Sequence, residues 1–547
     1  MRQYFVVTSV IVIVAVLLLG LASPGFLWLL LPIAALVGIG VYDMCQSRHS
    51  LRRNFPLVGR GRWVLEGIRP FIRQYLLESD TDGTPVSRMF RSVVYQRAKG
   101  ERDTVPFGTR IDLYRDGYEW ISHSLAAVTL PEGHETPRVM IGCEQCGQPY
   151  SASVLNISAM SFGSLSQNAV LALNRGAAKG KFAHNTGEGG ATPYHLEPGG
   201  DVIWQIGTGY FGCRDDNGNF DDESFAKLAN HPSIKMIEIK LSQGAKPGHG
   251  GILPAAKNTP EIAAIRGVKP NTTVDSPATH SAFSTPVEMM RFIQRVRELS
   301  GGKPIGIKLC VGRTSEVVAM CKAMIQTGVT PDFITVDGGE GGTGAAPLEF
   351  TNSIGMPLRD GLAFVCDCLV GFGLKGQVKV IAVGKIFSAF HIIKNLALGA
   401  DLVYSARGMM MALGCVQSLI CNTNHCPTGV ATQNPSLTKG LVVTDKAERV
   451  YRYHHETVAR LAEIIAAAGL TSVEELNRTH VYRRTSQSTI QRYDELYPYV
   501  PVGCLLTDTY PDRFEQPLRE SSACSFMPQT TIANSDQGYG PLAREIC

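Results

Sequence analysis

Charge is missing where the chain begins: no Asp, Glu, Lys or Arg stands between Gln3 and Tyr42. The apolar runs Tyr4–Ala22 and Phe26–Val41, divided by the turn Ser23-Pro24-Gly25, bracket the roughly 20 residues that cross a hydrocarbon core. A cleaved signal peptide is the rival reading. It fits poorly, because a second apolar run and a basic flank follow instead of a small-residue cleavage site. Arg2 precedes the runs, and Arg48, Arg52, Arg53, Arg60 and Arg62 follow them, so the positive-inside rule puts both ends in the cytoplasm. The expectation is a membrane hairpin over 1–43 in the cytoplasmic membrane, with the rest of the chain in the cytoplasm.

Other shortages narrow the function. Net charge is only +4, with 18% charged residues and no basic stripe interleaved with aromatics, which argues against nucleic acid. The 14 cysteines are scattered, so no disulfide scaffold is expected and the body should face a reducing compartment. There are no repeats and no low-complexity tract.

Glycine, by contrast, is plentiful at 56 residues, and the excess falls in turns after apolar runs, where backbone can approach a ligand. From about residue 150, short β-rich runs alternate with helical segments such as 285–299, 315–327 and 388–398. Nine candidate strands at 154–159, 182–185, 202–205, 237–241, 273–275, 305–309, 333–337, 378–383 and 402–405 predict an α/β fold, a closed (β/α)8 barrel. One strand must lie outside; 202–205 or 273–275 is the candidate. An open doubly wound sheet is the rival, and Gly207-Thr-Gly-Tyr-Phe-Gly212 resembles its phosphate motif. A turn rather than a helix follows, so a nucleotide site there is rejected. The expected divisions are a membrane hairpin (1–43), a basic connector (44–149) with a helix near 63–77, the barrel (150–435) and a C-terminal extension (436–547). The extension holds a long helix over 444–469, whose His454 and His455 are expected at the surface, and a tail that wraps the body.

Cys415, Cys421 and Cys426 follow the last strand in a Gly/Asn/Pro-rich loop ending in Cys-Pro. The spacing suits thiolates around an iron–sulfur cluster better than tetrahedral zinc; buried, inert cysteines are the alternative. Cys143-Glu-Gln-Cys146 has no second pair and is taken as incidental. Barrel ligands bind at the C-terminal ends of the strands, with phosphate after the last two. There Gly384-Lys385 and Arg407-Gly408 offer backbone N–H groups and cations, unless the glycines serve only the turns. The loop Asp337–Ala345, with five glycines, fits backbone laid against a flat ligand. Lys308, inside an apolar strand, is costly unless it meets an anion; facing the barrel mouth it would stabilise charge on a reduced flavin, and facing outward it would be merely solvated. Lys246 and Arg266 together suit a dicarboxylate, the arginine bidentately, and Glu188 adds a carboxylate.

The motifs Asn185-Thr-Gly-Glu-Gly-Gly190, Gln243-Gly-Ala-Lys-Pro-Gly-His-Gly-Gly251, Gly341-Gly-Thr-Gly-Ala345 and the cysteine loop through Gln433, in this order, resemble the synthase domain of the glutamate synthase family over roughly 150–470. The nearest likeness is to its short, FMN-binding, large-subunit-like members. The resemblance implies FMN in the barrel and a [3Fe–4S] cluster on Cys415, Cys421 and Cys426. It implies reductive amination of 2-oxoglutarate, through 2-iminoglutarate, to glutamate. It places FMN contacts on Ala159, Met160, Ser161, Asn185, Gln243, Lys308, Gly342, Gly384 and Gly408, with Lys385 and Arg407 beside the phosphate. Contacts to 2-oxoglutarate fall on Glu188, Lys246 and Arg266, and catalysis on Lys246, Glu188 and Lys308. Two departures stand out. The start Met1-Arg2-Gln3 lacks the cysteine of a glutaminase, so ammonia should be free or partner-delivered. His249 stands where the family usually has an acid. With no second cysteine-rich stretch or pyridine-nucleotide motif, a ferredoxin, a reductase subunit or a membrane carrier should donate electrons. Another oxo acid or an N-substituted glutamate as substrate, or a non-catalytic redox relay, are the competing functions.

Overall fold

Eight parallel strands close on one another: β1 (Leu155–Ile157), β2 (His184–Asn185), β3 (Val202–Ile206), β4 (Ile234–Lys240), β5 (Ile305–Leu309), β6 (Phe333–Asp337), β7 (Lys379–Val383) and β8 (Leu402–Ser405), with β8 pairing back onto β1. This (β/α)8 barrel belongs to the larger of two units, Met89–Cys547, in a computed structural model that describes residues 1–129, 136–142 and 144–529. Cys143 of the Cys-x2-Cys motif lies outside the described residues.

Of the two strands expected to be spare, Val202–Ile206 is β3, and Val274–Asp275 pairs antiparallel with Ile252–Leu253 beyond β4. The β3, β5 and β6 strands are buried at every position, as a sheet covered on both faces requires. No side chain fits at Gly306, where an added Cβ would enter the ring of Phe333 on the neighbouring strand.

The floor of the barrel was not anticipated. Strands Arg138–Ile141 and Tyr150–Ser153 form an antiparallel hairpin, and Ile141 and Ala152 share one core cluster with Ala183, Ile203, Met236, Phe333 and Leu402 at the lower halves of the barrel strands. The segment expected to be a connector thus contributes a plug. Sequestering Ile141 alone is worth about 2 kcal/mol.

The helix Val443–Ala467 packs on Gln167–Gly180. His454 is only 2% exposed, stacks on Phe182 at 3.9 Å, and places Nε2 3.0 Å from Leu155 O and 3.0 Å from Ser153 Oγ. The expected surface position is therefore wrong for His454, which burial keeps neutral by pushing its pKa down to about 3, and right for His455. Its role is to join the long helix to the barrel. After it, Arg478 makes a buried 2.6 Å ion pair with Asp367 and Lys322 binds the carbonyls of Leu518 and Ser521, tying the tail down.

The smaller unit, Met1–Arg88, begins with two helices, Arg2–Ala22 and Leu30–Cys45, joined by a 3-10 turn. By length and composition the spans Arg2–Ala22 and Pro24–Cys45 are sufficient to cross a membrane. At the end of the second, Asp43 accepts from Arg60 Nη2 at 2.7 Å and from Arg60 Nε at 2.8 Å. The helix Gly61–Ile72 follows.

Candidate active site

The C-terminal ends of the strands carry a dense, mostly buried set of charges. Glu188, just past β2, is its centre. Lys240, the last residue of β4, reaches its Oε2 at 3.0 Å. Burial works against ionisation of Glu188, yet Lys240, then Arg266 and Lys246, hold its carboxyl below the usual range. Gly207 and Gly251 make room for it, since a Cβ at either position would collide with its carboxylate.

Lys246 is buried and donates to Ala345 O at 2.9 Å. Burial, with repulsion from Lys240, brings its ammonium down to about 8, against the pull of Glu188 and Asp275. Arg266 ends the helix Pro260–Arg266, with Gly267 in the left-handed conformation behind it. Its Nη2 donates to Phe162 O at 3.1 Å, its guanidinium lies over Phe211, and its Nε is buried without a partner among the described residues. Burial lowers it to about 10, with Glu188 opposing. Three cations around one carboxylate leave positive charge for an anionic ligand.

Beside this group, Lys308 on β5 pairs with Asp337 Oδ2 at 3.2 Å, the two side chains 6% and 4% exposed. Burial disfavours its charge, but Asp337 and then Glu238 more than compensate and keep the ammonium above its ordinary value. Lys308 thus faces the barrel mouth rather than solvent. Below it, Glu238 accepts from Asn185 Nδ2 at 2.8 Å, Gln205 Nε2 at 2.6 Å and Thr335 Oγ1 at 2.6 Å, so four strands meet at one carboxylate. Sequence reasoning assigned no role to Glu238 or Lys240. The signal was available: both interrupt the apolar run of β4, as Lys308 interrupts β5.

The expected phosphate end lies after β6, β7 and β8. Burial, then repulsion from Arg407, lowers Lys385, while burial lowers Arg407 against the pull of Asp337 and Glu340. Arg407 Nη2 donates to Glu340 O at 2.9 Å, and a Cβ at Gly342 would lie 3.0 Å from Arg407 Nε. Gly384 has φ +147°, and Lys385 holds the left-handed region at φ +48°, a strained state for lysine of the kind that clusters at ligand sites. At Gly408 an added Cβ would meet Ser405 Oγ and Tyr453 Oη, so packing against the long helix also requires the glycine. Ala159, Met160 and Ser161 follow β1, and a Cβ at Gly187 would strike the backbone of Met160 and Ser161, bringing this loop against Asn185–Glu188. Gln243, half-buried, follows β4. His249 meets Phe350 edge-on at 5.2 Å.

The cysteine loop leaves the short helix Arg407–Leu413 directly after β8. It is tied to the loop after β1: Gln433 Nε2 donates to Gly163 O at 3.0 Å and Leu165 O at 2.8 Å, and Lys257 Nζ bridges Ser164 O at 2.7 Å and Cys421 O at 3.2 Å. Gln417, Leu419 and Asn424 all have positive φ, curling the chain. Burial chiefly, then a backbone hydrogen bond from Gln417 that opposes it and the neighbouring Cys421 and Cys426 that add to it, sets the Cys415 thiol at about 11; Cys421 is also raised, by burial and then by Cys426. Burial opposes ionisation of Cys426 as well, but Thr428 and backbone N–H groups hold it low. Among the described residues, no trio of His, Cys, Asp or Glu closes to metal-binding geometry. A set of thiols that disfavour one another's charge is nevertheless the donor chemistry a cationic iron centre satisfies.

Residues 112–471 match the conserved region in glutamate synthase. The chain is similar to the glutamate synthase large subunit-like protein YerD of Bacillus subtilis, at 38% identity over 85% of this chain and 96% of that one. It is similar to the archaeal-type glutamate synthase [NADPH] of Thermotoga neapolitana, at 30% identity over 78% of this chain and 81% of that one. With the glutamate synthase [NADPH] large chain of B. subtilis, identity is 32% over 60% of this chain but only 21% of that protein.

Proposed function

Because the chain belongs to the glutamate synthase family and is an oxidoreductase of the class acting on CH–NH2 groups, we propose that it makes glutamate from 2-oxoglutarate and ammonia, using FMN in the barrel and a [3Fe–4S] cluster on Cys415, Cys421 and Cys426. The observation that carries this reading is the convergence of Lys246, Arg266 and Lys240 on Glu188. A relay that only passes electrons needs no such pocket.

FMN, when bound, supplies hydride to the substrate carbon. The chain does the rest. Lys385 and Arg407, with the backbone around Gly342 and Gly384, would hold its phosphate, and Asn185, Gln243 and the 159–161 backbone would flank the ring. Lys308, kept charged by Asp337, stabilises negative charge beside the ring. Arg266 and Lys246 hold the two carboxylates of the substrate. Glu188, kept ionised, attracts the ammonium of Lys246, and Lys246 Nζ, near 8, is matched to donating a proton to the imine nitrogen at neutral pH. Buried surroundings exclude water and strengthen each of these charges. Nitrogen would come as ammonia, free or delivered by a glutaminase partner, and electrons from a ferredoxin or a reductase subunit. The two apolar spans would anchor the protein in the cytoplasmic membrane with the barrel inside.

Anaerobically purified protein should carry FMN and iron, and should form glutamate from 2-oxoglutarate and ammonium when a chemical reductant is supplied. If no glutamate forms while reduced flavin is reoxidised by another oxo acid or imine, the substrate assignment fails. The pairing of His249 with Phe350, in place of the family's acid, is the observation that favours an N-substituted glutamate in that event.

A titrating Lys246 has a further consequence. Its ordinary value is near 10.5 and burial brings it to about 8, so the cation that grips the substrate is present below that pH and lost above it. Then kcat/KM for 2-oxoglutarate should fall on the alkaline side with a limb near pH 8, since that parameter reports the free enzyme. Lys246→Arg should move the limb beyond pH 10. Lys246→Ala should abolish the flavin spectral change on adding 2-oxoglutarate while FMN stays bound.

A further inference from the structure

The helix Gly61–Ile72 and the turn Arg73–Leu77 that extends it have no buried residue at all. Yet Val64, Leu65, Ile68, Phe71, Ile72 and Tyr75 recur at the spacing of a single helical face. Leu65 is 62% exposed, Phe71 59% and Tyr75 63%. Arg62, Glu66, Arg69 and Arg73 occupy the opposite side, Arg62 and Glu66 within 4.0 Å of each other. A stripe of large apolar groups this long is not left to water without a use.

We infer that this segment is an interfacial helix, lying in the surface of an anionic bilayer with its apolar face in the acyl boundary. The inference rests on the membrane-anchoring reading above, and two observations choose the occupant. The first is charge. Between Gln46 and Leu77 the chain carries seven arginines against one acidic residue, Glu66, a net of 7 − 1 = +6. That bias suits anionic lipid headgroups, which attract basic residues next to a membrane span. The second is continuity. The helix starts 61 − 45 = 16 residues after the second apolar span ends at Cys45. Across that interval Asp43 grips Arg60 through three hydrogen bonds, so the chain is folded back near the end of the span instead of running away from it. A high-moment helix with arginines on one face and Leu, Ile and Phe on the other is the composition that lies in an interface rather than crossing it.

The test uses the full chain in nanodiscs of phosphatidylcholine alone and of phosphatidylcholine with phosphatidylglycerol, with hydrogen exchange followed peptide by peptide. Residues 61–77 should exchange about tenfold more slowly in the anionic discs than in the neutral ones. Arg62→Gln/Arg69→Gln/Arg73→Gln should remove that difference. Leu65→Glu/Ile68→Glu should release the segment in both discs, with barrel peptides unchanged to show that the protein is folded. The proposal is overturned if 61–77 exchanges equally fast in both discs while 4–22 stays protected. It is overturned too if protection ignores lipid charge and disappears only when proteolysis removes the catalytic unit, for then the protein covers its own helix. Free exchange of 4–22 in the discs would defeat the anchoring reading, and this proposal with it, whereas glutamate formation would be unaffected.

Discussion

Glu188→Gln is expected to cost on the order of a hundredfold in kcat/KM and about 3 kcal/mol of stability, because it strips the central carboxylate from between three cations. Lys240 at 3.0 Å would lose its ion-pair partner inside the protein, and Arg266 and Lys246 would lose the charge that offsets their burial. The two effects are separable. Glu188→Asp should recover most of the stability but not the rate, since the shorter side chain still neutralises Lys240 without directing Lys246. Flavin absorbance should persist in both variants. Thermal unfolding with steady-state kinetics on the three proteins checks this; a Gln variant with normal rate would remove Glu188 from the chemistry.

The second large effect concerns Cys426, the most buried of the three thiols and the one held toward its thiolate by Thr428 and surrounding N–H groups. Cys426→Ala should eliminate bound iron and reduce turnover with any protein electron donor to background, while FMN content stays at one per chain within error. Glutamate formation with a small-molecule reductant should survive at a substantial fraction. Iron analysis, low-temperature paramagnetic resonance and the two assays together decide it. Iron content unchanged in the variant would return the cysteines to the status of inert core residues.

The barrel was legible because its strands are short, apolar and end in glycine, and because the intervening helices keep their period. Thr285, Ser388 and Ser166 cap their helices by accepting from backbone N–H groups of the first turn. What escaped had a common cause. Lys240 and Glu238 do interrupt the apolar run of β4, but the partners that give them a role depend on which neighbouring strand faces them, and register across a parallel sheet is not written in the strand itself. His454 looked like a solvated residue on an amphipathic helix; its burial comes from Phe182, hundreds of positions earlier. The hairpin Arg138–Ile141/Tyr150–Ser153 has too few residues to announce itself, and its partners are the lower ends of strands elsewhere. Conversely, Lys246, Arg266 and Glu188 could be grouped from the sequence and do lie near one another, Glu188 and Lys246 in loops after strands and Arg266 at the end of a helix.

The carboxylate of Glu238 sits where β2, β3, β4 and β6 each deliver one polar group. Side chains alternate faces along a strand, so sliding any of these four by a single position would send its contributor out among the helices and strand a bare anion in oil. Correct threading of half the sheet is thereby verified at a single atom pair, a built-in proofreading step for assembly.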